Sequence, residues 1–143
     1  MKKFLSSVFC LAVIVGLLPF DRVVPAASDE GRPQPLEGMV FIGYAGPKGG
    51  EADGEDQIIF RDGLFLSTSC VKYGFETAPY TAVQKTDGIH FESVVVSPDH
   101  GVIEWKGVVR DDRAEATFLW TKKRWYWFDA HEESWFKGKL KAP

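Results

Sequence analysis

The amino-acid sequence predicts an all-β domain, an antiparallel meander that closes into an eight-stranded up-and-down barrel. Three successive segments between residues 89 and 121 alternate apolar and polar side chains, and turn residues end each one. Strand-like segments recur about every 10 residues, and helical periodicity is lacking after residue 28. Closure of the sheet into a barrel is the simplest way for antiparallel strands with short connections to leave no exposed edge. An open, two-layer sheet is the alternative.

The first half of the domain contains three predicted strands, residues 39–45, 57–61 and 64–71. Glycines and carboxylates in residues 46–56 indicate a poorly ordered loop after the first strand. Asp62-Gly63 is typical of a two-residue hairpin, so it joins the second strand to the third. Gly74 and Pro79 then break the strand pattern.

The second half contains five further predicted strands, residues 89–97, 103–110, 114–121, 125–128 and 135–140. Residues 97–101, "SPDHG", and Asp111-Asp112 are predicted turns. In "EWKGVV" and "WFKGKL" a glycine lies inside a strand, which indicates a bend or the close approach of another group.

The N-terminus has the layout of a secretory signal peptide. Lys2 and Lys3 precede an uncharged, mostly apolar run over residues 4–20, and small residues follow up to Ser28. We expect cleavage of residues 1–28, with an uncleaved membrane anchor as the alternative. The charged, proline-containing residues 29–37 are then a flexible leader, and residues 38–143 form one domain. The expected location is periplasmic or secreted.

The mature chain is acidic and has one cysteine. The whole chain has 17 basic and 20 acidic residues, and loss of residues 1–28 leaves 14 and 19, a net charge of −5. Both signs are interspersed, so no basic face is visible for nucleic acid or for an anionic membrane surface. We expect no membrane insertion after signal cleavage. Cys70 is alone once Cys10 is lost, which excludes an intramolecular disulfide.

The segment "STSCVKYGFETAPY", residues 67–80, concentrates unusual residue types. On a strand that starts at Leu64, Cys70 has the parity of the leucines, so it is predicted to be a buried, unreactive thiol. Tyr73 and Tyr80 are predicted to cover one end of the core. A ligand-pocket lining and a reactive or disulfide-forming thiol are the alternatives.

The tryptophans form the main functional lead. All five lie between residues 105 and 135, and "WYWF" is predicted to place Trp125 and Trp127 on one face of a strand. Both faces of such a strand cannot be exposed without a large apolar patch, which monomers avoid. The rings therefore either complete the core or form a surface for a protein or a sugar.

No catalytic or metal-binding pattern is visible. Asp129, His131 and Glu133 share a parity, but zinc sites combine more nitrogen or sulfur ligands at tighter spacing. The acidic residues 51–56 lack the spacing of a calcium loop. The sequence also lacks a nucleophile elbow, a phosphate-binding glycine loop and a CxxC pair. We predict no cofactor, no metal and no catalytic residue.

Three segments, "FRDGLFLSTSCVKYGFETAPY", "FESVVVSPDHGVIEWKGVV" and "WFKGKL", resemble a group of short exported bacterial proteins without an assigned activity. The resemblance covers residues 58–140 and carries over no catalytic or binding residues. More remotely, the predicted architecture is similar to calycin-like barrels, which bind small apolar ligands, and to small periplasmic barrels that inhibit hydrolases. The chain has "GMVFIGY" in place of the Gly-x-Trp of lipocalins, and fold similarity alone carries no function.

We therefore expect an exported, non-catalytic binding protein. In the first hypothesis a small apolar ligand lies in the barrel. Its predicted lining is Cys70, Tyr73, Tyr80, Trp105, Phe118 and Trp120. In the alternative, the protein is an inhibitor or envelope accessory, and its partner contacts an aromatic outer face. That face is predicted to contain Trp125, Trp127 and Trp135. A small hydrolase-type enzyme is the second alternative.

Overall fold

The computed structural model describes residues 34–142 of the chain. The predicted signal peptide and its cleavage site lie outside the described residues. Within residues 34–142, eight antiparallel strands form a closed barrel in which each strand pairs with its sequence neighbour and the last pairs with the first. This confirms the predicted all-β up-and-down barrel. In the same residues, no helix is long and apolar enough to cross a membrane.

The strands are β1 (Val40–Pro47), β2 (Gly54–Arg61), β3 (Leu64–Ser67), β4 (Ala78–Lys85), β5 (Gly88–Ser97), β6 (Gly101–Arg110), β7 (Arg113–Lys122) and β8 (Ala130–Leu140). A 3₁₀ helix, Thr68–Tyr73, lies between β3 and β4. The longest pairings join β5, β6, β7 and β8, whereas β3 pairs with β4 at only two positions, Leu64 with Pro79 and Phe65 with Ala78.

Two segments differ from the sequence prediction although the strand number agrees. Residues 125–128 form no strand; they belong to the loop of residues 123–129 between β7 and β8, so the strand predicted there is wrong. The count of eight is completed by β4, a strand that was not predicted from the sequence. Within β4 only Ala78 and Tyr80 are buried, and the following residues are mostly exposed. A strand with so few buried side chains shows little alternation in its sequence.

The predicted strand over residues 64–71 is also too long. β3 ends at Ser67, and its buried residues are Phe65 and Ser67 rather than the leucines. The change of direction is fixed by the buried Asp56, whose carboxylate accepts hydrogen bonds from Ser67 Oγ at 2.6 Å and from the backbone N–H of Ser69 at 2.9 Å. Cys70 still packs against the core, but it does so from the 3₁₀ helix.

A column of aromatic rings fills one half of the barrel interior. Phe60 lies at its centre, with ring-centroid distances of 6.3 Å to Phe41 and 4.9 Å to Phe91. Phe65 continues the column to Trp105, whose ring centroid is 5.1 Å away. All five side chains are buried. Their edge-to-face and tilted contacts are the arrangements that aromatic pairs prefer, so this half of the interior is closely packed.

Residues 34–39 cover the end of the barrel where this column begins. Leu36 has 0% of its surface exposed. The Glu37 carboxylate accepts hydrogen bonds from the backbone N–H groups of the Asp62-Gly63 turn. The predicted leader, residues 29–37, therefore differs from the structure at residues 34–37, which pack on the barrel. The buried leucine and the hydrogen bonds from the turn to Glu37 hold this segment against the barrel.

The glycine of "EWKGVV" allows a close approach, as the sequence analysis predicted for a glycine inside a strand. A Cβ atom on Gly107 would lie 2.5 Å from the Phe91 ring and 2.8 Å from the Ala116 Cβ. At Gly138, in "WFKGKL", the ring of Phe136 takes the same place, 2.5 Å from where a Cβ would be. Both glycines thus make room for an interior ring.

Candidate ligand cavity at the open end of the barrel

The two ends of the barrel are built differently. At one end, which we call the closed end, residues 34–39 cover the packed aromatic column. The other end, which we call the open end, carries the loop between β1 and β2, the 3₁₀ helix, the turn between β5 and β6, and the loop of residues 123–129. The core is continuous from the closed end to Trp105, and a cavity lies beyond it.

This cavity has a volume of about 610 Å³. Its apolar lining consists of Ala45, Cys70, Phe75, Ile103, Phe118 and Trp120. Its main polar lining consists of Asp53, Glu55, Lys72, His100, Glu132 and Ser134. The volume lies within the range of about 300–1,000 Å³ that is usual for small-molecule sites. Polar residues are at least as numerous as apolar ones in this lining, and the apolar ones include the large rings of Phe118 and Trp120.

Aromatic side chains form the floor and one wall of the cavity. Phe118 stacks on Trp105 with 4.2 Å between ring centroids, so Trp105 supports the floor from below. The Trp120 indole Nε1 donates a hydrogen bond to the His100 carbonyl oxygen at 2.6 Å. This bond joins β7 to the turn between β5 and β6 and holds the Trp120 ring in one orientation.

Two buried nitrogen atoms near this floor have no hydrogen-bonding partner among the described residues. One is His100 Nδ1, on a residue that lines the cavity, and the other is Trp105 Nε1, on the residue beneath Phe118. A buried polar atom without a partner loses the hydrogen bond that water would give it. His100 thus lines the cavity as a residue, while its Nδ1 atom itself has almost no exposed surface.

The 3₁₀ helix forms the opposite wall and carries Cys70. Cys70 Sγ lies 3.2 Å from Ser67 Oγ, whose single hydroxyl proton is donated to Asp56. Burial raises the pKa of the Cys70 thiol, and the polar contact with Ser67 only partly offsets this. A raised pKa lowers the thiolate fraction at a given pH, and Cys70 packs against the core as part of the cavity wall.

The rim joins this helix to the turn between β5 and β6. Ser97 Oγ donates a hydrogen bond to the Tyr73 carbonyl oxygen at 2.8 Å and accepts one from the His100 backbone N–H at 3.2 Å. The Tyr73 and His100 rings lie 5.7 Å apart, and Lys72 Nζ lies 5.0 Å from the Tyr73 ring centroid. Tyr73 therefore stands at the cavity entrance with its ring partly in solvent.

Four of the six predicted ligand-binding residues line this cavity: Cys70, Tyr73, Phe118 and Trp120. The other two lie elsewhere. Trp105 is buried in the packed column. Tyr80 lies at the closed end, where its O–H donates a hydrogen bond to the Glu37 carboxylate at 3.3 Å. Burial, reinforced by the Glu37 charge and this hydrogen bond, raises the pKa of Tyr80 to about 12.

The three tryptophans predicted for a partner surface do not share one face. Trp125 and Trp127 belong to the loop at the open end and are 95% and 70% exposed. Trp135 lies half-buried on the outer wall of β8, where its indole Nε1 donates a hydrogen bond to the Gly50 carbonyl oxygen at 3.1 Å. At the usual strand rise, it is about 17 Å along β8 from Ala130.

Sequence reasoning missed the polar part of the lining. Ser134 and Glu132 pair with Phe118 and Trp120 across β7 and β8, so they share the inner face. Extending the parity of Phe136 backwards along β8 would have found both residues. His100 carries no such signal because it lies in a turn, where parity does not apply.

Two smaller grooves lie on the outer wall. Their volumes are about 400 and 480 Å³, and charged side chains such as Lys106, Glu115 and Glu133 line them. Within residues 34–142, no three histidine, cysteine, aspartate or glutamate residues are placed to hold a metal ion. The cavity at the open end is larger than either groove, and side chains of the barrel interior line it.

Comparison with known proteins found no matching family model, no matching curated protein and no matching solved structure.

Proposed function

We propose that this protein binds a small, mainly apolar molecule in the cavity at the open end of its barrel. The observation that carries the proposal is the uneven filling of the interior. Aromatic rings pack the closed end, whereas beyond the stacked Trp105 and Phe118 a cavity of about 610 Å³ remains. The expected location outside the cytoplasm stays part of this proposal and rests on residues 1–28.

The lining supports a ligand with an apolar body and one polar group. Phe118, Trp120 and Ile103 offer apolar surface, and Glu132 and Ser134 offer polar side chains on the inner face. Asp53, Glu55 and Glu132 outnumber the single cation, Lys72, among the charged lining residues. Because like charges repel, the polar group of the ligand is expected to be neutral or cationic.

A titration with a neutral fluorescent naphthylamine tests the proposal. The unmodified protein is expected to bind the probe, with quenching of tryptophan fluorescence. Ser134→Phe places a ring in the cavity and is expected to weaken binding at least about 10-fold, since steric exclusion removes the apolar contacts. Thr81→Phe introduces the same aromatic ring on the exposed outer wall of β4 and is expected to leave binding unchanged.

Native mass spectrometry of protein from its own envelope gives an independent test. A bound molecule that is lost in Ser134→Phe and kept in Thr81→Phe would support the proposal. Protein that carries no adduct, together with equal probe binding by both variants, would contradict it. Trp120→Ala adds a second measurement, because loss of this wall is expected to weaken probe binding about 10-fold.

A further inference from the structure

The loop of residues 123–129, here called the aromatic loop, exposes four consecutive large rings. Trp125, Tyr126, Trp127 and Phe128 are 95, 66, 70 and 84% exposed. Trp125 contacts Tyr126 edge-on at 5.2 Å, and Trp127 contacts Phe128 at 6.3 Å. Neither pair makes an aromatic contact with the barrel within the described residues. The loop therefore contributes little to the core and presents apolar surface outward.

Basic side chains come directly before these rings. Lys122, Lys123 and Arg124 form no salt bridge within residues 34–142. Tryptophan and tyrosine rings favour the interfacial layer of a bilayer, because each ring is apolar and carries one polar atom. Basic groups beside them are suited to lipid phosphate groups. The loop thus places basic groups beside exposed aromatic rings, and one carboxylate, Asp129, ends it.

We propose that the protein docks on a lipid bilayer surface by placing the aromatic loop in the interfacial layer. Trp125, Trp127 and Phe128 enter the layer, and Lys123 and Arg124 contact lipid phosphates. Because the loop joins β7 and β8 at the open end, docking turns the cavity mouth toward the lipid. The proposal rests on the exposed rings and the basic side chains of the loop, and it stands whether or not the cavity holds a ligand.

Ring burial, and not net charge, drives this docking. Asp53, Glu55 and Glu132 lie at the same end of the barrel and would be repelled by anionic headgroups. This agrees with the sequence-based expectation against an anionic surface, whereas entry of the loop rings into the interfacial layer departs from the expectation of no membrane insertion. Zwitterionic lipids also carry phosphates, and they do not repel the acidic rim. We therefore expect binding to phosphatidylcholine vesicles that varies little with salt concentration.

Co-sedimentation with phosphatidylcholine vesicles tests the proposal. Trp125→Ser/Trp127→Ser is expected to weaken binding about 100-fold, at about 10-fold for each indole removed from the interface. Val94→Ser/Val96→Ser is the control, because both valines are exposed on the outer wall of β5. The loop rings are mostly exposed, so the loop variant should keep the circular dichroism spectrum and melting temperature of the unmodified protein.

Quenching by lipids brominated in their acyl chains tests the same point without a mutation. Residues 4–20 contain no tryptophan, because all tryptophans lie between residues 105 and 135. Insertion of those apolar residues into the bilayer would therefore bring no tryptophan ring to the brominated chains. Quenching of the unmodified protein, reduced in the loop variant, is the expected result.

Three results would overturn the proposal. The first is vesicle binding that is equal in the loop variant and the unmodified protein. The second is the absence of vesicle binding, together with a dimer of the unmodified protein that the loop variant does not form. That result would assign the loop to contact with a second copy of the chain. The third is a lack of vesicle binding with a specific envelope protein captured through the loop.

Discussion

Replacement of Leu36 by alanine tests whether the segment before β1 is part of the domain. Leu36 is fully buried under the closed end. A buried Leu→Ala change costs about 2–5 kcal/mol, because apolar contacts are lost and a cavity remains. We expect about 3 kcal/mol here, a large fraction of the roughly 5–15 kcal/mol by which domains are stable. The physical cause is loss of a fully buried side chain of the hydrophobic core.

Urea unfolding followed by tryptophan fluorescence measures this change. With a slope of about 2 kcal/mol per molar urea, the midpoint should fall by about 1.5 M. Leu140→Ala is the matched control, since Leu140 is already 37% exposed and should cost less than about 1 kcal/mol. A midpoint shift below about 0.3 M for Leu36→Ala, or equal shifts for both variants, would refute the reasoning and favour a leader that reaches residue 37.

Three further predictions concern the core, the cavity wall and pH. Gly107→Ala forces a methyl group against the Phe91 ring and should lower the free energy of unfolding by about 1–3 kcal/mol, and an unchanged urea midpoint would contradict this. Asp56→Ala removes the carboxylate that holds the 3₁₀ helix, so iodoacetamide should modify Cys70 several times faster than in the unmodified protein, where the thiol has a raised pKa; equal rates would count against this role of Asp56. The Tyr80 pKa rises from 10.0 in the unfolded chain to about 12 in the fold, so between these values the folded state binds more protons, and its stability falls as pH rises. Tyr80→Phe should remove that part of the alkaline loss, and pH-dependent melting curves of both proteins that stay parallel would disprove the assignment.

The sequence predicted the regular half of the barrel well. Residues 89–97, 103–110 and 114–121 correspond to β5, β6 and β7 to within two residues at each end. Each of these strands buries one face and exposes the other, so its alternation is visible in the sequence. The connections are short turns such as Asp111-Asp112, where Asp111 has a φ of 52°, and turn chemistry is local.

Prediction failed where local pattern and tertiary environment disagree. The apolar residues 125–128 indicate a strand by composition, yet they form an exposed loop, because neither β7 nor β8 has a free edge left for them. β4 was missed since its pairing with β5 holds it in the sheet despite a mostly exposed sequence. The eight predicted strands thus included one false strand and omitted one real strand.

The sequence by itself determined the fold class, the parity of the long strands and most of the apolar part of the candidate site. Burial of one sheet face fixes these features residue by residue. Only the tertiary structure decided that the closed end is packed and the open end hollow. A cavity depends on how side chains from all strands fill the closed barrel, and the relevant partners, such as Phe118 and His100, are distant in sequence. The same holds for the aromatic loop, because exposure depends on what the rest of the fold leaves uncovered.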